Sequence, residues 1–220
     1  MNITHVLWDW NGTLLDDLDL CIEIINEILT GEGLPRIDRQ TYRRKFRFPI
    51  VEYYADLGLN VADGNFARLA KDYIARYQPK SARCRLAAGA AEVLERIGER
   101  GITQVILSAS RLDLLEDQVR GAGIRDRFET LLGLGDIHAA SKREAGLAWQ
   151  EGLGIAGENI LMVGDTLHDK EVAESLGARF LYYSGGHQEA APGAIAPSFR
   201  IDELSGALAF LDGLTGPGRG

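Results

Sequence analysis

Cysteine is scarce: Cys21 and Cys84 are the only two in 220 residues, and they lie far apart in the chain. That count excludes a disulfide-stapled secreted scaffold. The pair reads as reduced thiols of a cytoplasmic protein, with one disulfide between them as the other reading. Long apolar runs are also missing. None approaches the roughly 20 residues that span a bilayer, and the first fifteen residues lack the basic start of a secretory leader, so neither an anchor nor a signal peptide is expected. Positive charge is in deficit. With 24 Lys and Arg against 32 Asp and Glu the formal net charge is −8, which argues against nucleic acid or a membrane surface as partner and leaves only a local basic pocket. Repeats and low-complexity tracts are absent, so the chain does not read as a solenoid or a linker.

What is present suits a folded α/β protein. Apolar residues make up 45% of the chain and charged ones 25%, enough for one medium domain with a smaller insert. Five apolar runs read as strands: THVLWD, GITQVILSAS, FETLLGL, NILMVGD and ARFLYYS. They are nearly continuous rather than alternating, as expected of parallel strands covered on both faces. Helical patterns separate them. GAAEVLERIGERG ends on Gly101, and SRLDLLEDQVRGAG and SKREAGLAWQEGLG open with Ser110/Asp113 and Ser141/Glu144 in capping-box spacing. The alternation predicts a doubly wound, mainly parallel Rossmann-like sheet formed by residues 1–15 and 83–220. Residues 16–82 break the rhythm. Leu18, Cys21, Ile22, Ile25, Ile28 and Leu29 share one helical face, as do Phe66, Leu69, Ala70, Tyr73, Ile74 and Tyr77, with a helix interrupted before Pro49 between them. This predicts an inserted all-helical domain. The tail Leu214–Gly220 is expected to fray.

Ligands of open α/β sheets bind beyond the carboxyl ends of the strands. Asp9, Asn11 and Thr13 follow the first run, Ser108 and Ser110 end the second, Lys142 opens the helix after the third, and Asp165 and Asp169 follow the fourth. Carboxylates, hydroxyls and one ammonium suit a hard cation and a phosphate together. Singly, each has a plainer reading: Asp9 and Asp165 as caps or turn residues, Ser108 as a turn hydroxyl, Lys142 as a solvated lysine. Jointly, four independent strand ends carry compatible groups.

In DWNGT, VILSAS, Lys142 and GDTLHD, taken in that order, the sequence resembles the haloacid dehalogenase-like hydrolase superfamily. The closer likeness is to its helical-cap branch and to phosphoglycolate phosphatase-like members. The resemblance implies a Mg²⁺-dependent phosphatase acting on a small phosphorylated metabolite. Asp9 would be the nucleophile that forms an aspartyl phosphate. Mg²⁺ would be held by Asp9, the Asn11 backbone carbonyl and Asp165, with Asp169 acting through water. Asn11, Gly12, Thr13, Ser108, Ala109 and Lys142 would surround the phosphate. In the cap, Arg47 beside Pro49 would reach a second anionic group of the substrate. A monomer or homodimer is expected.

Asn11 departs from the family pattern, which has a second Asp there to protonate the leaving oxygen. An amide cannot shuttle that proton. His168 is one substitute, and a low-turnover phosphate-binding or regulatory protein is the alternative class. A haloacid dehalogenase is a weaker one, because it needs no metal and leaves the Asp165/Asp169 pair unexplained.

Overall fold

The chain starts in the sheet with β1 (His5–Trp8) and turns into a two-residue strand, β2 (Leu15–Asp16). Four helices follow: α1 (Leu18–Gly31), α2 (Arg39–Lys45), α3 (Ile50–Asp56) and α4 (Asn65–Ser81). The chain then returns through β3 (Arg85–Leu86), antiparallel to β2. Strands and helices alternate from there: α5 (Ala90–Glu99), β4 (Thr103–Arg111), α6 (Leu112–Gly121), β5 (Thr130–Leu134), α7 (Lys142–Leu153), β6 (Ile160–Gly164), α8 (Leu167–Ser175), β7 (Arg179–Tyr183), β8 (Arg200–Ile201) and α9 (Gly206–Thr215). The computed structural model describes residues 2–135 and 141–215, so most of the tail expected to fray lies outside the described residues.

Six strands form one parallel sheet in the order β5-β4-β1-β6-β7-β8. The five apolar runs supply five of them. The sixth, β8, and the β2/β3 ribbon are two-residue pieces, too short to show a period of two. β1 is the topological switch point, with β4 on one side and β6 on the other. Its register pairs Trp8 with both Ile106 and Val163. The residues just beyond these three therefore sit at one height, at the sheet's carboxyl edge.

Alternating side chains divide the core between the two faces of the sheet. Val6, Trp8, Ile106, Leu161 and Val163 pack with α5, α6 and α9. Leu7, Val105, Leu107, Ile160 and Met162 pack with Ala145, Val172 and Ala173 of α7 and α8. Helices α1–α4 have a third core of their own, in which Leu18, Cys21, Ile25, Ile28 and Leu29 meet Tyr42, Tyr53, Tyr54, Leu69 and Tyr77. Ile22 is only half-buried and Ile74 is 45% exposed, so each expected apolar face is narrower than its pattern. Cys21 and Cys84 are both free thiols. Among the described residues no helix is long and apolar enough to cross a membrane.

Two local expectations divide. Ser141 caps α7 by accepting from the Glu144 amide at 3.2 Å. Ser110 caps nothing: α6 begins after Arg111, because β4 continues through Ser110 and that hydroxyl donates instead to Asn11 Oδ1 at 2.8 Å.

Candidate active site

Strand ends and helix starts bring Asp9, Lys142, Asp165 and Asp169 together, all buried, while Ser108, also buried, accepts from the Ser110 amide at 3.1 Å and is not among the residues that line the chamber. Asp9 extends β1 and is fixed by its own amide, which donates to Val163 O at 2.9 Å. Lys142 is the first residue of α7, a position where the helix dipole disfavours a cation. It is not solvated. Its ammonium donates to Asp9 Oδ1 and, at 2.6 Å, to Asp169 Oδ1. Asp169 is also the third residue of α8 and closes a capping box with Thr166, accepting from the Thr166 amide at 3.0 Å and its hydroxyl at 2.7 Å. Asp165 accepts from Thr13 Oγ1 at 3.0 Å and from the His187 amide at 2.5 Å.

Oxygens of Asp9, Asp165 and Asp169 all lie within 4.8 Å of one another. Burial pushes the Asp9 carboxyl well up; Lys142 opposes this, while Asp169 and Asp165 add to it. Burial likewise raises Asp165 to about 6, against the pull of His187. Burial disfavours the Lys142 charge too, but Asp169 and Asp9 outweigh it and hold the ammonium protonated. Three carboxylates against one ammonium leave an uncompensated negative site with hard oxygen donors only. That donor set fits a divalent cation such as Mg²⁺.

Behind this cluster lies a second one that the sequence does not single out. Asp17, fully buried, accepts from the Gly12 amide at 2.9 Å, Asn11 Nδ2 at 2.9 Å and the Tyr77 hydroxyl at 2.6 Å. His187 Nε2 stands 3.1 Å from Asp17 Oδ1, and its Nδ1 stands 3.1 Å from the Tyr42 hydroxyl. Burial alone would discharge this imidazole, but Asp17 lifts it to about 9. Burial would raise the Asp17 carboxyl, yet His187, Tyr77 and Asn11 hold it below its usual range. His187 follows β7, so the strand-end rule could have found it had it been carried one strand further. Asp17 had a weaker signal, a second acid in LLDDLDL.

The expected phosphate cradle is partly closed on itself. Gly12 and Thr13 were expected to line it, but the Gly12 amide donates to Leu15 O and Asp17, the Thr13 amide to Trp10 O, and the Thr13 hydroxyl to Asp165. The cause is the tight turn at residues 10–15, where the amides of Leu14 and Leu15 also converge on Trp10 O. Gly12 has φ 76°, and a Cβ there would collide with the His187 ring and the Asp165 carboxylate. Ala109 and Asn11 do line the chamber beside the carboxylates. Asn11 is locked: besides Asp17, its Nδ2 reaches Tyr77 Oη at 2.7 Å, and its Oδ1 accepts from Ser110.

Arg47 does not point inward. It is 42% exposed and pairs with Glu52 and Asp56, two acids on α3. The basic residue of that segment that reaches the sheet layer is Arg43, which donates to Gly186 O at 2.8 Å and to Ser184 O. The Glu189 amide answers by donating to Arg43 O at 2.9 Å. His168 lines the chamber with its ring against Phe48, centroids 4.7 Å apart, and its Nδ1 is 3.4 Å from Glu171.

Residues 6–183 match the family described as haloacid dehalogenase-like hydrolase. The chain belongs to that family. A phosphoglycolate phosphatase of Rhodospirillum rubrum is 27% identical over 93% of this chain and 90% of its own. An N-acetylmuramic acid 6-phosphate phosphatase of Pseudomonas aeruginosa is 26% identical over 81% of this chain and 80% of its own. Among solved structures, a haloacid dehalogenase-like hydrolase from Streptococcus pneumoniae superposes with a TM-score of 0.80 at 20% identity, covering 94% of this chain and 98% of the other. CbbY from Rhodobacter sphaeroides, in complex with phosphate, gives 0.72 at 22% identity, covering 96% and 99%. At those identities the structures carry the shared haloacid dehalogenase-like fold.

Proposed function

We propose that this hydrolase is a Mg²⁺-dependent phosphomonoesterase working through Asp9, with α1–α4 as the cap over its site. The observation that carries the reading is the cluster itself: a buried carboxylate at the end of β1, bonded to Lys142, with oxygens of Asp165 and Asp169 within 4.8 Å. The relatives named as phosphatases support the same class of reaction.

Asp9 attacks phosphorus, forming a carboxyl–phosphate bond as the ester P–O bond breaks and the alcohol oxygen departs; water then cleaves the aspartyl phosphate. Lys142 orients Asp9 and opposes the rise that burial imposes on its carboxyl, and a bound cation would add to that. The Ala109 backbone receives phosphoryl oxygens. Asp9, Asp165, Asp169 and the Asn11 carbonyl would hold Mg²⁺, Asp169 through water, and the cation would supply positive charge to the transferring oxygens. His187 is not the missing acid, because both ring nitrogens already have partners. Asn11 cannot supply the leaving-group proton, so that proton comes from water, with His168 on the chamber wall as the side-chain alternative.

A low-turnover binding protein is the second reading, and the locked amide of Asn11 favours it. Phosphate release from p-nitrophenyl phosphate, with and without Mg²⁺, decides between them. The phosphatase reading expects metal-dependent turnover that Asp9→Asn abolishes, and a melting temperature raised by Mg²⁺ alone, less so in Asp165→Ala. Cation stabilisation without any turnover would leave only the binding reading.

A further inference from the structure

Above the carboxylates the chamber extends to about 490 Å³, between the sheet edge and α1–α4. Its walls are not those of a site for a small polar anion. Eight Phe and Tyr rings line it, among them Tyr42, Phe46, Phe48 and Tyr53, together with Ile25, Ile50, Ile74 and Leu114. Every basic side chain among the described lining residues already faces an acid: Lys142 with Asp9 and Asp169, Arg111 with Asp113, His187 with Asp17, His168 with Glu171. Arg47 and Arg43 are engaged elsewhere. A second phosphate or a carboxylate on the substrate would thus enter an apolar space with no unmatched positive charge, and a buried unpaired charge is costly.

We infer that the chamber receives the alcohol part of a phosphate monoester that is bulky and apolar, aromatic or branched, with no second anion. This rests on the phosphatase reading of Asp9 and deepens it. The volume suits a ligand of drug-like size, far larger than a two-carbon acid.

The test compares ethyl, 2-phenylethyl and 2-(2-naphthyl)ethyl phosphate, whose leaving alcohols are of similar acidity, so that a difference in kcat/KM reports the chamber rather than the chemistry. Phosphoglycolate and p-nitrophenyl phosphate complete the set, all with purified protein and Mg²⁺. Burying one ring is expected to raise kcat/KM roughly tenfold to a hundredfold over the ethyl ester, with phosphoglycolate below the aryl-alkyl esters. Ile74→Glu, at the 45% exposed part of the lining, is expected to collapse the naphthylethyl-to-ethyl ratio. A flat or inverted ester series, a preference for phosphoglycolate, or a ratio untouched by Ile74→Glu overturns the inference while the phosphatase reading stands. Hydrolysis of none of the esters, p-nitrophenyl phosphate included, removes both readings together.

Discussion

Position 11 shows what one atom exchange does to a site. The Asn11 amide donates to Asp17 and accepts from Ser110; a carboxylate at the same place would set like charges against each other. Asn11→Asp is therefore expected to destabilise the fold at neutral pH by ~1–3 kcal/mol, the cost of losing a donor beside a buried acceptor. That loss should shrink as pH falls and the new carboxyl takes up a proton, which denaturant melts at pH 5 and pH 8 would reveal. In wild type the same amide cannot transfer a proton. Rates should thus fall steeply as the leaving group becomes a poorer one, toward the full ~10²–10⁴ that general acid help supplies. A shallow leaving-group dependence, abolished by His168→Ala, would instead give the proton to His168.

At the scale of elements, the loop after β7 and helix α2 matter most. That loop places His187 against Asp17, and the pH dependence of stability follows from their opposed shifts. An imidazolium held at about 9 in the fold, against 6.5 when unfolded, stabilises fully below pH 6.5 and loses that contribution as pH rises through 9. Asp17, held low, contributes above the ordinary carboxylate range and loses it as pH falls toward its depressed value. Without divalent cation, melting temperature should drop between pH 6.5 and 9, by an amount equivalent to about 3 kcal/mol, and His187→Gln should flatten that limb. The elements themselves were largely legible, because the long parallel strands are buried on both faces and read as unbroken apolar runs. Ser110 was not, since its capping spacing was overridden by a strand that runs on through it. Asp17 and His187 stayed hidden because the link between them spans 170 residues, and no local pattern encodes it.

For the whole molecule, the order of chemistry along the chain was readable because β1 lies between β4 and β6, so sequence order maps onto one sheet edge. What the helical layer reads was not. The basic tract at Tyr42–Phe48 suggested a charged substrate contact, yet Arg47 binds α3 acids and Arg43 loop carbonyls, and the chamber took its character from scattered aromatics. The Arg43 contacts, with Tyr42 against His187 and the Glu189 amide on Arg43 O, fasten the helical layer to the β7 loop. We predict that the clasp acts kinetically as a gate. If each turnover must undo it to admit an ester and release an alcohol, then for reactive aryl phosphates the slow event is diffusive opening rather than bond cleavage. Added viscogen should slow wild-type kcat accordingly, and Arg43→Ala should turn over reactive esters with little dependence on solvent viscosity.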